Sequence, residues 1–313
     1  MKKILTFTLN PALDVSAGVE RVVPVRKLRC SAARRDPGGG GINVARVLRR
    51  LKADVTALFP AGGSTGNLLG RLVGDEGVNS AVVPITDETR ENFTVNEAKS
   101  QEQFRFVLAG PTLSAAEQQG CLDALAEHMS SGDLLVASGS LAEGVPSGFY
   151  ASAAAIAATF GAGFILDTSG AALAGALGPG VSLIKPNLRE LGDLVGGNLA
   201  TESAQIEACQ TLVEEEKTAA VALTLGAEGA LLITAGGVWR ARPPKVASES
   251  AVGAGDSFTA GMVWGMAAGW EIEKAFSLAI AAGAAAALTP GTELCHADDV
   301  WRFADQVKPE KLF

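Results

Sequence analysis

The chain has 313 residues, a formal net charge of −8 and a hydrophobic share of 48%. This composition supplies the core of one large domain, and the negative charge argues against a nucleic-acid or membrane-surface partner. Four scattered cysteines and two histidines argue against a zinc site or a disulfide framework. We therefore expect buried thiols and a cytoplasmic location. The apolar N-terminal stretch is broken at Asn10 and Pro11, so it predicts neither a signal peptide nor a membrane span.

Short apolar runs alternate with helical patterns along most of the chain. The runs typical of buried strands are Ile4–Leu9, Val55–Phe59, Leu134–Ser138, Phe164–Asp167, Leu183–Lys185 and Val221–Thr224. Helical patterns lie at Ile42–Leu51, Leu68–Asp75, Ser114–Met129, Ser147–Phe160, Phe258–Ala268 and Ala275–Leu288. Ser114 and Glu117 have the spacing of a capping box. The alternation predicts an α/β fold with a parallel sheet covered on both faces, and ligands beyond the carboxyl ends of its strands.

Two segments interrupt this alternation, at about residues 11–36 and 88–109. The second contains two strand-like pieces, Phe93–Glu97 and Phe104–Leu108, with no helix between them. The sequence therefore predicts a β-rich excursion from the main sheet. The arginine pairs Arg34-Arg35 and Arg49-Arg50 are typical of solvated strand or helix faces.

A glycine-rich turn places one carboxylate at the start of a predicted helix. In the run Val252–Ser257, Gly253 and Gly255 allow consecutive N–H groups, including that of Ala254, to converge on an anion. The positive end of the following helix reinforces such a pocket, and Asp256 is suited to accept a proton from a hydroxyl group. A plain glycine turn with an acidic first-turn residue is an equally good interpretation of these residues alone.

A second glycine cluster, Gly38–Gly41, leads directly into the helix that begins near Asn43. Four consecutive glycines suit a place where another group approaches the backbone closely, and the Asn43 amide suits sugar hydroxyls. A flexible linker is the alternative, but linkers rarely continue into an amphipathic helix.

These two clusters and several shorter motifs resemble the signatures of the PfkB, or ribokinase-like, sugar kinases. The matching segments are GGGGIN at 38–43, ALFPAGG at 57–63, SAVGAGDSFTAG at 250–261, and Asn10–Asp14, Lys27–Cys30, Ser138–Leu141, Lys185–Glu190, Thr224–Gly229 and Gly291-Thr292. They occur in the expected order and extend nearly from end to end. Within the family the chain is most similar to the hexose-phosphate branch.

The resemblance implies a three-layer α/β/α sandwich with a central, mostly parallel sheet and a small β-sheet lid. It implies one kinase domain over residues 1–313, with the lid built from about 11–36 and 88–109, and a homodimer formed through the lid strands. The implied reaction is the ATP- and Mg²⁺-dependent phosphorylation of fructose 6-phosphate. Fructose 1-phosphate and tagatose 6-phosphate remain alternative substrates, and a non-catalytic sensor of sugar phosphate or nucleotide remains an alternative function.

The resemblance also assigns roles to individual residues. Gly253, Ala254, Gly255 and Asp256 form the catalytic anion hole and base. Asp14, Lys27, Gly39, Gly40, Asn43, Arg90, Arg105 and Ser140 bind the sugar phosphate, with Lys27 reaching a neighbouring subunit's site. Lys185, Asn187, Thr224, Gly226 and Gly229 bind the nucleotide. Glu190 and Asp167 organise Mg²⁺, and Ser250, Val252, Ala286, Thr289 and Gly291 resemble a K⁺ site.

One departure from the family pattern lies beside the catalytic turn. Ala251 stands where a serine or threonine usually precedes that turn, so one hydroxyl contact is missing. Thr289 and Glu293 differ from the pattern at the cation site. The chain contains no Gly-Lys dipeptide, which excludes a P-loop, and no G-x-G-x-x-G follows the first strand.

Overall fold

The computed structural model describes residues 1–247, 250 and 252–313. Its strands are β1 (Ile4–Phe7), β2 (Ala12–Val19), β3 (Arg34–Gly38), β4 (Val55–Ala61), β5 (Asn79–Pro84), β6 (Arg90–Glu97), β7 (Gln103–Val107), β8 (Leu134–Ser138), β9 (Gly163–Asp167), β10 (Val181–Ile184), β11 (Ala220–Thr224), β12 (Ala230–Thr234), β13 (Gly237–Ala241) and β14 (Glu310–Lys311). The helices are α1 (Gly40–Arg50), α2 (Gly63–Asp75), α3 (Ala115–His128), α4 (Phe149–Thr159), α5 (Gly170–Ala176), α6 (Leu188–Val195), α7 (Glu202–Glu214), α8 (Ala254–Ala267), α9 (Ile272–Ala286) and α10 (Ala297–Ala304).

The larger sheet has ten strands in the order β14-β13-β12-β11-β10-β9-β8-β1-β4-β5. The pairings from β5 across to β11 are parallel, and those from β11 to β14 are antiparallel. The strand β1 pairs with both β4 and β8, so the chain order reverses there. Ligand sites in open α/β sheets lie beyond the carboxyl ends of the strands at such a reversal.

Successive side chains of the central strands enter two separate cores. Ile4 belongs to the core formed with α1, α2, α8, α9 and α10, whereas Leu5 and Phe7 belong to the core formed with α3 to α7. This division follows from the period of two along a strand. Both faces of the sheet are therefore covered by helices, which gives three layers and explains why the central strands are continuously apolar.

The smaller sheet has the order β3-β2-β6-β7 and is mixed, because β2 pairs parallel with β6 and antiparallel with β3. Its pairings give it one polar face and one apolar face. Asp14 pairs with Asn92 and with Asp36, whereas Val15 pairs with Phe93, which in turn pairs with Phe106. Asp14, Asp36 and Asn92 therefore share one face, and Val15, Phe93 and Phe106 share the other.

The predicted α/β alternation and its mostly parallel sheet are confirmed, as is the capping box of Ser114 and Glu117. The sequence patterns missed the antiparallel extension β12–β14 and the edge strand β5. They also placed the start of α2 five residues late, at Leu68, because its first turn from Gly63 is rich in glycine and polar residues. No helix among the described residues is both long and apolar enough to cross a membrane.

Two expectations about side-chain exposure are wrong. Cys30 is exposed, and only Cys121, Cys209 and Cys295 are buried. Arg50 is not a solvated surface residue, because its guanidinium group donates to Glu76 and to the carbonyl oxygens of Glu293 and Cys295. Partners this distant in sequence cannot be identified from a local pattern.

Candidate active site

The candidate site lies beyond the carboxyl ends of the parallel strands, where two clefts open. One cleft, of about 560 Å³, is lined by residues that follow β10 and β11, among them Asn187, Thr224 and Gly226. The other, of about 230 Å³, lies between the polar face of the smaller sheet and the segments around Val252 and Gly291. Two clefts at this edge provide room for two ligands.

The glycine turn before α8 has the backbone conformation that its sequence predicts. Gly253 is the N-cap residue and has a φ of 75°, in the left-handed region that favours glycine. A Cβ at this position would lie 2.4 Å from Leu294 Cδ2, so packing also requires a glycine. Ala254, Gly255 and Asp256 form the first turn, whose N–H groups have no partner within the helix. This turn presents both backbone donors and a carboxylate.

Asp256 is held by Asn43, which comes from the first turns of α1. The Nδ2 atom of Asn43 donates a hydrogen bond of 2.8 Å to Oδ2 of Asp256. Burial, and next the charge of Asp167, raises the pKa of Asp256 to about 6, although the Asn43 hydrogen bond and Lys185 act in the opposite direction. A carboxyl group with this pKa is ionised at neutral pH and basic enough to take a proton from a hydroxyl group.

Lys185 and Asp167 form a buried ion pair beside Asp256. Lys185 Nζ lies 3.1 Å from Asp167 Oδ1, and the hydroxyl of Thr259 donates to Asp167 Oδ2 at 2.9 Å. Burial opposes the charge of Lys185, but Asp167, followed by Asp256 and Glu190, outweighs it and the pKa of Lys185 is raised. Lys185 is therefore cationic. Asp167 therefore orients Lys185 through one carboxylate oxygen and accepts from Thr259 at the other.

Asn187 and Glu190 form a capping box at the start of α6. Asn187 Oδ1 accepts from the Glu190 N–H, and Glu190 Oε2 accepts from the Asn187 N–H, both at 2.9 Å. Asn187 and Glu190 therefore cap α6, as the sequence suggests. The capping bonds use Glu190 Oε2 and not Oε1. The described residues contain no cluster of three or more carboxylate, histidine or cysteine side chains able to hold a metal ion.

Thr224 and Gly226 border the larger cleft, and Gly229 follows them just before β12. The Thr224 hydroxyl donates to the carbonyl oxygen of Pro186, which joins the ends of β10 and β11. Gly226 has a φ of 62°, and a Cβ on Gly229 would lie 2.0 Å from the carbonyl oxygen of Ala241. Gly229 is therefore required by packing, whereas Gly226 is exposed at the cleft.

Asp14 is the central carboxylate of the smaller cleft. Its Oδ1 atom accepts from Asn92 at 2.9 Å, and a Cβ on Gly38 would lie 2.3 Å from its Oδ2 atom. Burial raises the pKa of Asp14, whereas the Asn92 hydrogen bond and the charges of Arg105 and Arg90 lower it. Both arginines thus act electrostatically on the same carboxylate.

The two arginines differ in their surroundings. The guanidinium group of Arg90 donates to the carbonyl oxygens of Asn10 (3.0 Å) and Leu108 (3.3 Å), so it is already oriented. Arg105 is exposed on β7, on the polar face that it shares with Thr94. Ser140 accepts a hydrogen bond from Asn10, whereas Lys27 is exposed in the segment between β2 and β3.

The glycines of the 38–41 cluster allow α1 to begin directly against β1 and β8. A Cβ on Gly39, whose φ is 111°, would lie 2.7 Å from Thr8, and one on Gly40 would lie 2.2 Å from Ser138. The sequence predicts that the four glycines let another group come close to the backbone, and part of that space is filled by the protein's own residues Thr8 and Ser138. This packing brings Asn43 within reach of Asp256.

The predicted cation site draws on two segments, one around Val252 and one from Ala286 to Gly291. The N–H of Thr289 donates to the carbonyl oxygen of Ala286. The hydroxyl of Thr289 has one hydrogen, and it lies 2.9 Å from the carbonyl oxygen of Ala286 and 3.0 Å from that of Leu294. Val252 and Gly291 border the smaller cleft, and the Ser250 hydroxyl accepts from the Val252 N–H. Ala251, where the sequence departs from the family pattern, lies outside the described residues.

Sequence reasoning missed three side chains that support the site. Asn92 holds Asp14, Thr259 holds Asp167, and Arg46 donates to Asn43. Thr259 and Arg46 lie within predicted helices, where a period of 3.6 residues marks the packed face but not the partners across it.

The comparisons with known proteins agree with this geometry. The model of the pfkB family of carbohydrate kinases matches residues 8–299. The ATP-dependent 6-phosphofructokinase isozyme 2 of Mycobacterium tuberculosis is 48% identical over 301 residues, which cover 96% of this chain and 88% of that protein.

Two solved structures of phosphofructokinase-2 from Escherichia coli have nearly the same fold. The complex with fructose-6-phosphate has a TM-score of 0.93 at 39% identity and covers 98% of this chain and 99% of that chain. The complex with potassium has a TM-score of 0.94 at 40% identity, with the same coverage. The chain belongs to the pfkB family of carbohydrate kinases.

Proposed function

We propose that the protein is an ATP-dependent 6-phosphofructokinase that converts fructose 6-phosphate and ATP into fructose 1,6-bisphosphate and ADP. The observation that carries this proposal is the first turn of α8, where Asp256 and unpartnered backbone N–H groups occur together beside Lys185. The relatives named above, which bear this activity or bind this sugar phosphate, support the choice of substrate.

In the proposed reaction, Asp256 takes the proton from the 1-hydroxyl of the sugar. The sugar oxygen forms a bond to the γ-phosphorus as the bond between that phosphorus and the bridging oxygen of ADP breaks. The N–H groups at the start of α8 and the charge of Lys185 stabilise the negative charge on the transferring group. The raised pKa of Asp256 matches its role as the proton acceptor.

The substrates divide between the two clefts. The smaller cleft is lined by Asp14, on which the charges of Arg90 and Arg105 act. It is suited to the sugar phosphate, because carboxylates accept from hydroxyls and guanidinium groups bind phosphate. Asn43, Ser140 and the backbone at Gly39 and Gly40 complete the sugar site. The larger cleft, lined by Asn187, Thr224 and Gly226, is suited to the nucleotide. Gly229 and Lys185 are proposed to complete the nucleotide site.

Mg²⁺ is proposed to bind with ATP, held by the free carboxylate oxygen of Glu190, mostly through water. A single available carboxylate fits this ion, because Mg²⁺ usually keeps several waters and takes its other ligands from phosphates. When bound, the ion neutralises phosphate charge. K⁺ is a second proposed ligand, at the site formed by Ser250, Val252, Ala286, Thr289 and Gly291.

The smaller sheet is proposed to act as a lid on a single kinase domain, and its apolar face as a dimer interface. Phe93 and Phe106 are paired neighbours on this face and both are exposed. Exposed apolar side chains that lie together typically mark a protein interface. A second copy would cover this face and bring Lys27 towards the partner's sugar site.

A coupled assay of ADP release with a panel of sugars tests the proposed function. Fructose 6-phosphate should give the highest kcat/KM. Preference for fructose 1-phosphate or tagatose 6-phosphate would correct the substrate, and preference for unphosphorylated fructose, ribose or adenosine would overturn the proposal. Binding of sugar phosphate or nucleotide without ADP release would indicate a sensor instead.

A further inference from the structure

Arg46, on α1, is an arginine buried in the body of the protein. Its residue exposure is 1%, and it is among the largest fully buried side chains of the chain. Its charge is compensated by Glu76, just beyond the end of α2, whose Oε1 atom lies 2.6 Å from Nη2. Burying a guanidinium group costs free energy even when it is paired, so a specific role is expected for it.

The remaining nitrogen of Arg46 joins three segments around the candidate site. Its Nη1 atom donates to the carbonyl oxygen of Pro37 (3.0 Å), the side-chain oxygen of Asn43 (3.3 Å) and the carbonyl oxygen of Thr292 (3.3 Å). Pro37 belongs to lid strand β3, and Thr292 precedes Leu294, which packs against Gly253. One guanidinium group thus links the lid, α1 and the segment behind the catalytic turn.

The contact with Asn43 determines which way its amide faces. A guanidinium group only donates hydrogen bonds, so the Asn43 atom facing Arg46 must be the oxygen. The amide nitrogen then faces Asp256, which as an ionised carboxylate only accepts. With the amide reversed, both of these hydrogen bonds would be lost. Arg46 and Asp256 therefore fix the same amide from opposite sides.

We propose that Arg46 is a positioning residue for the reaction, acting through the Asn43 amide to hold the Asp256 carboxylate in place. This rests on the proposed function of Asp256 as the base. The arrangement Glu76–Arg46–Asn43–Asp256 is a continuous chain of hydrogen bonds from α2 to the first turn of α8.

The charged groups that act on Asp256 come from several elements. Asp167 is the last residue of β9, Lys185 follows β10, and Asp14 lies on β2. None of them is changed by a substitution at position 46, so a shift in the titration of Asp256 would report on the Asn43 contact.

Arg50 provides a matched control. It lies one turn further along α1 and also pairs with Glu76, at 3.1 Å. Its other hydrogen bonds go to the carbonyl oxygens of Glu293 and Cys295, and it makes no hydrogen bond to Asn43. If both arginines only stabilised the fold, Arg46→Met and Arg50→Met would have the same effect on kcat and on the pH profile.

The test compares Arg46→Lys and Arg46→Met with Arg50→Met. Loss of the hydrogen bond to Asn43 should lower kcat about 10- to 100-fold, the range expected for a hydrogen bond involving a charged group. It should also move the acidic limb of the pH–rate profile upward, because a loosened Asn43 no longer lowers the pKa of Asp256. The KM for ATP should change little. Arg50→Met should lower thermal stability and leave the pH profile in place.

A double-mutant cycle separates positioning from folding. In the Asn43→Ala background, Arg46→Lys should produce no further shift of the pH profile, because its intermediary is absent. An equal shift in both backgrounds, or an unchanged kcat and profile in Arg46→Lys, would overturn the proposal. If Arg46→Met does not fold, Arg46→Lys and Glu76→Gln replace it. Glu76→Gln removes the charge that compensates Arg46 and measures what this ion pair contributes to stability.

A measurement that does not depend on activity tests this inference separately from the proposed function. Titration of the Asp256 carboxyl carbon by NMR should give a higher pKa in Arg46→Lys than in the unmodified protein. That result would support the positioning role even if the substrate panel gave no ADP release. An unchanged titration in an active enzyme would reject the positioning role and leave the proposed function intact.

Discussion

Lys185 and Asp167 face each other at the ends of neighbouring strands, with 3.1 Å between Nζ and Oδ1. They act on Asp256 in opposite directions, because the carboxylate of Asp167 raises its pKa and the ammonium group of Lys185 lowers it. Burial adds the largest contribution, also upward. The pKa of Asp256 is thus about 6, and Lys185 stays positively charged and able to bind a phosphoryl group.

The first prediction concerns the pH dependence of turnover. A general base works only when it is deprotonated, so the rate should fall as the pH falls through about 6, the pKa of Asp256. Asp256→Asn should lower kcat at least ~100-fold and abolish this limb, while fructose 6-phosphate and ATP still bind. Steady-state kinetics from pH 5 to 9 and calorimetric binding measure both effects. Near-normal turnover of the variant would remove Asp256 from the mechanism.

The second prediction concerns the stability of the same variant. A carboxyl group whose pKa is raised on folding destabilises the folded state above that pKa, and the effect disappears below the unfolded value. Asp256 should therefore destabilise the fold above about pH 6 and have no effect below about pH 3.8, the ordinary pKa of its carboxyl group. Asp256→Asn should raise the free energy of unfolding at pH 8 by up to ~3 kcal/mol, the free energy that corresponds to this rise in pKa. Urea denaturation at pH 8 and pH 4 checks this, and a variant less stable than the parent at pH 8 would contradict it.

The sequence predicts the parts of this site that lie within one segment, and it misses those assembled from several. The turn at Gly253–Asp256, the capping box of Asn187 and Glu190 and the glycines before Asn43 are local features with local signals. Thr259, which donates to Asp167, and Thr292, which accepts from Arg46, are distant in sequence from these partners, and only the packing of α8 and α1 brings them together. Hydrophobic periodicity specifies the buried face of a helix but not the polar group that it meets.

The third prediction compares the two glycines of the catalytic turn. Gly253→Ala would place a Cβ 2.4 Å from Leu294 and force alanine into a left-handed conformation, so activity should fall more than tenfold and stability by about 1–3 kcal/mol. Gly255 is helical, and the nearest atom to a Cβ there is Lys185 Nζ at 3.5 Å. Gly255→Ala should therefore keep the stability of the parent. Thermal denaturation of both variants distinguishes them, and equal losses of stability would contradict the packing argument.

The fourth prediction concerns the sugar phosphate. Arg90 is oriented by two carbonyl oxygens and acts on Asp14, as does the exposed Arg105. Replacement of Arg90 by alanine should raise the KM for fructose 6-phosphate by 10- to 100-fold, corresponding to about 1.5–3 kcal/mol for a lost charged hydrogen bond, with little change in the KM for ATP. Arg105→Ala should act in the same direction. Arg71, exposed on α2, gives the control variant Arg71→Ala, which should leave both constants unchanged.

Equal increases in both KM values for Arg90→Ala would indicate a general distortion of the site. Unchanged values would place the phosphate group of the sugar elsewhere.

The last prediction is mechanical and depends on the two faces of the smaller sheet. Its polar face carries Asp14 and Asn92 towards the smaller cleft, while its other face exposes Phe93 and Phe106. If the sheet closes over bound sugar, saturating fructose 6-phosphate should slow amide hydrogen exchange in residues 11–36 and 88–109, because closure excludes water. The edge strand β5 should show no change.

If the exposed face joins two copies, Phe106→Asp should convert a dimer into a monomer in light scattering at micromolar concentration, since a buried charge without a partner destabilises an interface. Unchanged exchange in both segments would reject the lid, and a monomeric parent protein would reject the dimer while leaving the lid standing.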